Sequence, residues 1–273
     1  MKLFKKLAVI MMVTLFGGVP TYSYEQQYIT IASTTSTANS GLFDAILPQF
    51  MLEKNINVKV IPLGTGQAIK TAENGDADLL IVHHTPSEEK FIADGYADKR
   101  YNLMYNQFVL IGPKSDPAKI SSSGVIDIKL AFRKIASKKA TFISRGDDSG
   151  TDKKEKSLWR ESGVYTTSPN WYIESGSGMG ATINMAVAKN AYTITDKATW
   201  VSFQNKGNLK VLVENDPVLF NQYGIIVVSD KKHPHIKTKL ANVFLNWMLS
   251  PRGQEAINNF TVNGQQLFFA NYK

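Results

Sequence analysis

The sequence contains no cysteine, which excludes disulfide-stapled scaffolds, thiol nucleophiles and thiolate metal centres. Three catalytic signatures are missing as well: the G-x-S-x-G nucleophile elbow, the G-x-x-x-x-G-K-[ST] phosphate loop and a G-x-G-x-x-G fingerprint at a strand-to-helix turn. The four histidines fall as His83/His84 and His233/His235, and neither pair has the i, i+4 spacing of a helical zinc site. His83 ends a predicted strand and is a candidate for lining a cleft, whereas His233 and His235 flank Pro234 in a surface turn. Beyond the N-terminal region no apolar run approaches the roughly 20 residues that cross a bilayer. The lysines are scattered, with no basic block interleaved with aromatics, so nucleic acid is not an expected partner.

What is present begins at the N-terminus. Lys2, Lys5 and Lys6 precede an apolar run from Leu7 to Phe16, and a small-x-small site follows at Thr21 to Ser23. That is the layout of a secretory signal peptide over residues 1–23, cleaved near Ser23 or Tyr24. The apolar run is too short for a membrane anchor, and no cysteine follows it to carry a lipid. The expected product is an exported, soluble periplasmic protein of about 250 residues, large enough to bury a core without disulfides. Removing the three leader lysines leaves 28 basic against 23 acidic residues and lowers the net charge from +8 to +5. A mild basic excess suits an anionic small molecule.

Short β-branched runs alternate with helical periodicity from residue 28 onward. Strands are predicted at 28–33, 57–63 and 77–83, separated by a helix through Leu42, Phe43, Ile46, Leu47, Phe50 and Met51 and another closed by Gly75. Pro48 counts against the first helix, because it removes a hydrogen bond and kinks the axis. This alternation predicts an α/β fold with a parallel sheet covered on both faces. Residues 105–113 and 221–230 are similar aromatic-polar leads into apolar strands, and they bracket a second α/β unit. One lobe inserted into another explains the order: 24–107 plus 223–273 form lobe 1, and 108–222 form lobe 2.

In open α/β sheets ligands sit where strands lead into helix N-termini. Four such turns are rich in Ser, Thr and Gly: "STTSTANSG" at 33–41, "GTG" at 64–66, "SRGDDSGT" at 144–151 and "SGSGMG" at 175–180. The first offers five hydroxyls where capping needs one. The third places Arg145, a planar fork of charged donors, beside a helix start whose free N–H groups favour an anion. Its plain alternative is an ordinary cap with a surface salt bridge from Arg145 to Asp147 or Asp148.

Taken in order, "TTSTANSGLFDAILPQF", "GTGQAIKTAENGDADLLIVH", "SRGDDSGTDKKEKSLW" and "SGSGMGATINMAVAKNAYTITDKATW" resemble the tungstate-binding components of bacterial ABC uptake systems, TupA type, a branch of the periplasmic solute-binding proteins. The resemblance spans essentially the whole mature chain. Ser33 stands where the family's first motif has threonine, and Pro48 belongs to the family pattern. It implies a two-lobed type II periplasmic binding protein with two hinge crossovers, closing on a tetrahedral oxyanion. Thr35, Ser36, Arg145 and Thr151 fall on the motif's contact positions; Thr65, His83, Ser149 and the backbone at Gly178 and Met179 complete the candidate set. It further implies a monomer without cofactor or catalysis that delivers tungstate or molybdate to a membrane permease. Phosphate remains an alternative ligand because Asp147 or Asp148 could accept its proton, and a secreted phosphatase is the alternative from another class.

Overall fold

The computed structural model describes residues 26–121, 127–166 and 170–273. The expected signal peptide lies outside them. Among the described residues no helix is long and apolar enough to cross a membrane.

The first strand, β1 (Tyr28–Thr34), pairs in parallel with β2 (Asn57–Leu63) on one side and β3 (Leu79–Val82) on the other. Alternate residues of β1 and β3 face opposite ways, as the strand period requires. Ile29, Ile31, Leu79 and Ile81 join a core cluster with α2 (Leu42–Lys54), α9 (Thr238–Leu249) and α10 (Pro251–Asn259), while Ala32, Leu80 and Val82 join another with α3 (Thr65–Glu73) and α4 (Thr85–Ala93). With helices on both faces, all four residues of β3 are buried. Pro48 sits inside α2, and five buried apolar side chains on that helix, each worth about 1.5–3 kcal/mol, outweigh the roughly 3 kcal/mol proline penalty.

The sheet is mixed where the sequence predicts a parallel one. β9 (Phe220–Val227) inserts between β3 and β4 (Arg100–Pro113) and runs antiparallel to both, and β12 (Phe269–Ala270) closes the edge beyond β4. The physical reason is the late return of the chain: β9 comes back from residues 108–219 running opposite to β3, so β9 and the edge strand β12 run against β1, β2, β3 and β4. The last residues of β4, from Phe108, leave β9 and pair with β7 (Thr193–Asp196) and β8 (Leu209–Val213). Here too alternation divides the strand, Phe108 and Leu110 packing with α5 (Ile128–Ser137) and α6 (Gly150–Glu161), and Val109 and Ile111 with α7 (Met179–Lys189). A separate parallel pair, β5 (Phe142–Ser144) and β6 (Tyr172–Glu174), feeds α6 and α7. The remaining elements are α1 (Thr35–Asn39), α8 (Lys197–Ser202), a 3-10 turn at Pro217–Leu219 and a small hairpin of β10 (Thr261–Val262) and β11 (Gln265–Gln266).

His233 and His235 do more than flank a turn. Their Nε2 atoms bond the carbonyls of Glu73 and Gly75 at 2.7 and 2.8 Å, tying the end of α3 to the segment before α9.

Candidate functional site

The four polar turns do stand at strand-to-helix junctions, opening α1, α3, α6 and α7. Of the five hydroxyls at 33–37, the fold engages three for itself. Ser33 donates to the Ile81 carbonyl at 2.7 Å, and Thr34 caps α1 by accepting from the Thr37 amide. Thr37 is held by Thr34 Oγ1 at 2.6 Å and by the Tyr223 hydroxyl. Ser36 Oγ also meets Thr34 Oγ1 at 3.2 Å, but together with Thr35 it lines a cavity of about 380 Å³ whose wall includes Gly178 and Met179. The wall at Gly178 and Met179 is the start of α7, which has no side-chain cap, so its first amides are free to meet an anion.

Arg145 follows β5 and is only 3% exposed. Its Nε donates to the Ser177 carbonyl at 2.9 Å, one residue from that wall, and its Nη2 donates to Asp147. Three of the five guanidinium donors therefore have no partner among the described residues. The salt bridge to Asp147 exists, but it is buried on the arginine side rather than a surface pair. Asp148 takes no part, pairing instead with Lys153 at 3.3 Å.

Each carboxylate around Arg145 already accepts hydrogen bonds from neighbours. Asp147 accepts from the Ser149 amide as well as from Arg145. Asp152 accepts from the Gly146 amide and Lys156, and Asp196 caps α8 through the amide and hydroxyl of Thr199. Glu155 accepts from Trp159, Tyr172 and the Arg145 amide, while burial pushes its carboxyl up to about 7.

The other nominated residues divide. Ser149 is the cap of α6, accepting from the Asp152 amide. Thr151 is buried with no hydrogen-bond partner on its hydroxyl among the described residues. Thr65 Oγ1 accepts from the Gly150 amide at 2.9 Å, joining the start of α3 to the start of α6. There is no spare room at this junction, since a Cβ on Gly150 would lie 2.8 Å from His83 Cε1. His83 itself lines a different cavity. Its Nδ1 meets Asn221 Oδ1 at 3.1 Å, and burial lowers its pKa to about 4, so the ring is neutral at physiological pH.

A profile of the PBP superfamily domain matches residues 21–252. The chain belongs to the PBP superfamily. Within it, the chain is 44% identical over 232 residues to the tungstate-binding protein TupA of Peptoclostridium acidaminophilum, covering 85% of this chain and 81% of that protein. Among solved structures it resembles the tungstate-binding protein TupA of Desulfovibrio alaskensis G20, at 42% identity and a TM-score of 0.78 over 90% of this chain and all of that one. The tungstate ABC transporter structure from Geobacter sulfurreducens matches equally well, at 44% identity and a TM-score of 0.78, covering 85% of this chain and 98% of its own. The TupA resemblance read from the turns is therefore met.

The sequence reading passed over several residues of the superfamily fold's cavity: Asn39 at the end of α1, and Thr199, Ser202 and Phe203 on and after α8. A signal was available, because "TITDKAT" is one more strand-to-helix turn with Asp196 at its capping position.

Proposed function

We propose that this protein captures tungstate outside the cytoplasm and hands it to the membrane permease of an ABC importer, without turnover. One observation carries the reading: a buried arginine with three free donors stands where each neighbouring carboxylate is already held by its own donors. Phosphate keeps a proton at neutral pH and needs an acceptor for it; tungstate and molybdate carry none and need only donors. The start of α7, the Thr35 and Ser36 hydroxyls and the Thr151 hydroxyl supply the remaining donors.

The reading includes two lobes closing about β4 and β9. Its support is the division of the cores, two clusters drawing on residues 108–219 and two mainly on residues 29–104 and 223–268. Contacts of Thr65 with Gly150 and of Gly66 with Asp148 then belong to the closed form. The N-terminal sequence supports a periplasmic location, and a monomer is part of the same reading.

Calorimetry of the mature protein with tungstate, molybdate, sulfate and phosphate tests this directly. Tungstate should bind at one equivalent and, at a hundredfold excess over its Kd, stabilise the fold by about 2.7 kcal/mol. Phosphate binding in preference to tungstate, or no binding of any of the four, would overturn the reading; hydrolysis of a chromogenic phosphate ester would move the protein to an enzyme class.

A further inference from the structure

His83 is the nominated residue that opens elsewhere. It lines a second cavity of about 400 Å³ that shares no residue with the first. Its walls come from His84 and Thr85 at the start of α4, Lys153 and Lys154 in the first turns of α6, and Phe220 at the start of β9.

Three features of this cavity lack an internal explanation. Lys154 is half-buried and makes no ion pair among the described residues, and burial lowers its pKa. Lys153 is paired only with the largely exposed carboxylate of Asp148. Third, His83 presents a lone pair with nothing to receive. Asn221 Nδ2 donates to Asn106 Oδ1 at 2.6 Å, which turns Asn221 Oδ1 toward His83 and makes Nδ1 the protonated nitrogen. The neutral ring then offers Nε2 as an acceptor, and no donor of the described residues reaches it. His83 is 6% exposed and lines the cavity, and its Nε2 is not among the fully buried unpartnered atoms, so a ligand in the cavity can reach it.

Two cationic side chains, one buried acceptor and the phenyl rings of Phe108 and Phe220 define a ligand with three parts. We propose that this cavity is a second ligand site, taking a small aromatic hydroxy acid whose carboxylate pairs with Lys153 and Lys154, whose ring lies against Phe220 and whose hydroxyl donates to His83 Nε2. A bare oxyanion fits it poorly, because an oxygen without a proton would face the Nε2 lone pair. The inference does not depend on tungstate being the transported ion.

The probe is 4-hydroxybenzoate, titrated calorimetrically into the mature protein with and without saturating tungstate. Benzoate lacks the hydroxyl, 4-hydroxybenzyl alcohol lacks the carboxylate, and inorganic phosphate lacks the ring. One equivalent of 4-hydroxybenzoate should bind in both conditions, each truncated probe should bind at least about tenfold more weakly, and Lys154→Ala should cause a loss of the same order. Tungstate affinity should be unchanged in Lys154→Ala, which also certifies that the variant folds. The assignment is overturned if 4-hydroxybenzoate fails to saturate at millimolar concentration, if benzoate, phosphate or the Lys154→Ala variant matches it, or if tungstate displaces it. Failure of tungstate to bind the wild-type protein would instead overturn the transport reading and leave this one standing.

Discussion

Replacing Arg145 with alanine tests the centre of the proposed site, and the structure sets the size of the effect. A unit charge about 4 Å from a charged partner contributes roughly 4 kcal/mol at an effective dielectric constant near 20, and the ligand is a dianion. Part of that attraction is offset by Asp147, which shares the guanidinium. Alanine removes the three free donors and leaves the Asp147 carboxylate, 18% exposed, as an uncompensated charge beside an anion. The net loss should be about 2–5 kcal/mol, or one and a half to four decades in tungstate affinity, toward the upper end because of Asp147. Arg145→Lys should recover only part, since an ammonium cannot hold the Ser177 carbonyl, Asp147 and an oxyanion in one plane. Adding Asp147→Asn to Arg145→Ala should restore some affinity by removing the stranded charge. The assay is a tungstate titration beside a melting curve for each variant. If Arg145→Ala folds and keeps its affinity within about threefold, the arginine is an internal brace and not a ligand contact.

Gly150→Ala should weaken tungstate binding by about 1–3 kcal/mol, because its Cβ would strike His83 Cε1 at 2.8 Å and Thr65 Oγ1 at 2.9 Å where the two halves meet; an unchanged Kd would show that this contact is not part of closure. His83, with its pKa lowered from 6.5 to about 4, favours the folded state only while neutral, so that stability is present above pH 6.5 and is lost as pH falls toward 4. The loss should reach about 2 kcal/mol by pH 5, and its absence from the difference between wild-type and His83→Gln melting curves would count against a buried neutral ring. Glu155 works in the opposite sense: raised from 4.5 to about 7, it costs stability as pH rises through that window. Glu155→Gln should therefore gain about 2 kcal/mol more relative to wild type at pH 8 than at pH 5, and a pH-independent difference would refute the assignment.

Much of this was legible because period and punctuation agree in the sequence. β2 falls on 57–63 as predicted, and the helix starts of α6 and α7 fall at the Ser-Gly turns. Other elements were missed for identifiable reasons. α4 buries only Glu88 and Phe91, too little for an apolar stripe to be seen. α5 does carry one, in Ile128, Ala131, Phe132 and Ile135 behind an Asp127 cap, so this helix is legible in the sequence. The start of β4 at Arg100 depends on pairing with Ile226, which local sequence cannot announce. At the site, Arg145 and its turn were visible, but which hydroxyls stay free was not. Ser33 is absorbed by Ile81 and Thr37 by Tyr223, partners 48 and 186 positions away. The tautomer of His83 is hidden for the same reason, because Asn221, far along the chain, decides which ring nitrogen is protonated.

The position of β9 has a consequence for how the protein comes into being. The strand that fills the gap between β3 and β4 is the ninth of twelve among the described residues, and until residue 220 has emerged neither neighbour has its partner on that side. β3 is apolar along its full length. A nascent chain stopped short of β9 would expose two raw sheet edges in the middle of the molecule, the surfaces that recruit a second copy by strand addition. The sheet of β1 to β4 is thus closed by a keystone delivered late, after the cores of residues 108–219 are complete. Truncations ending before residue 220 should aggregate, whereas those that lose only residues after 270 keep the keystone, the buried Leu267 and Phe268 and the edge strand β12, and should remain soluble.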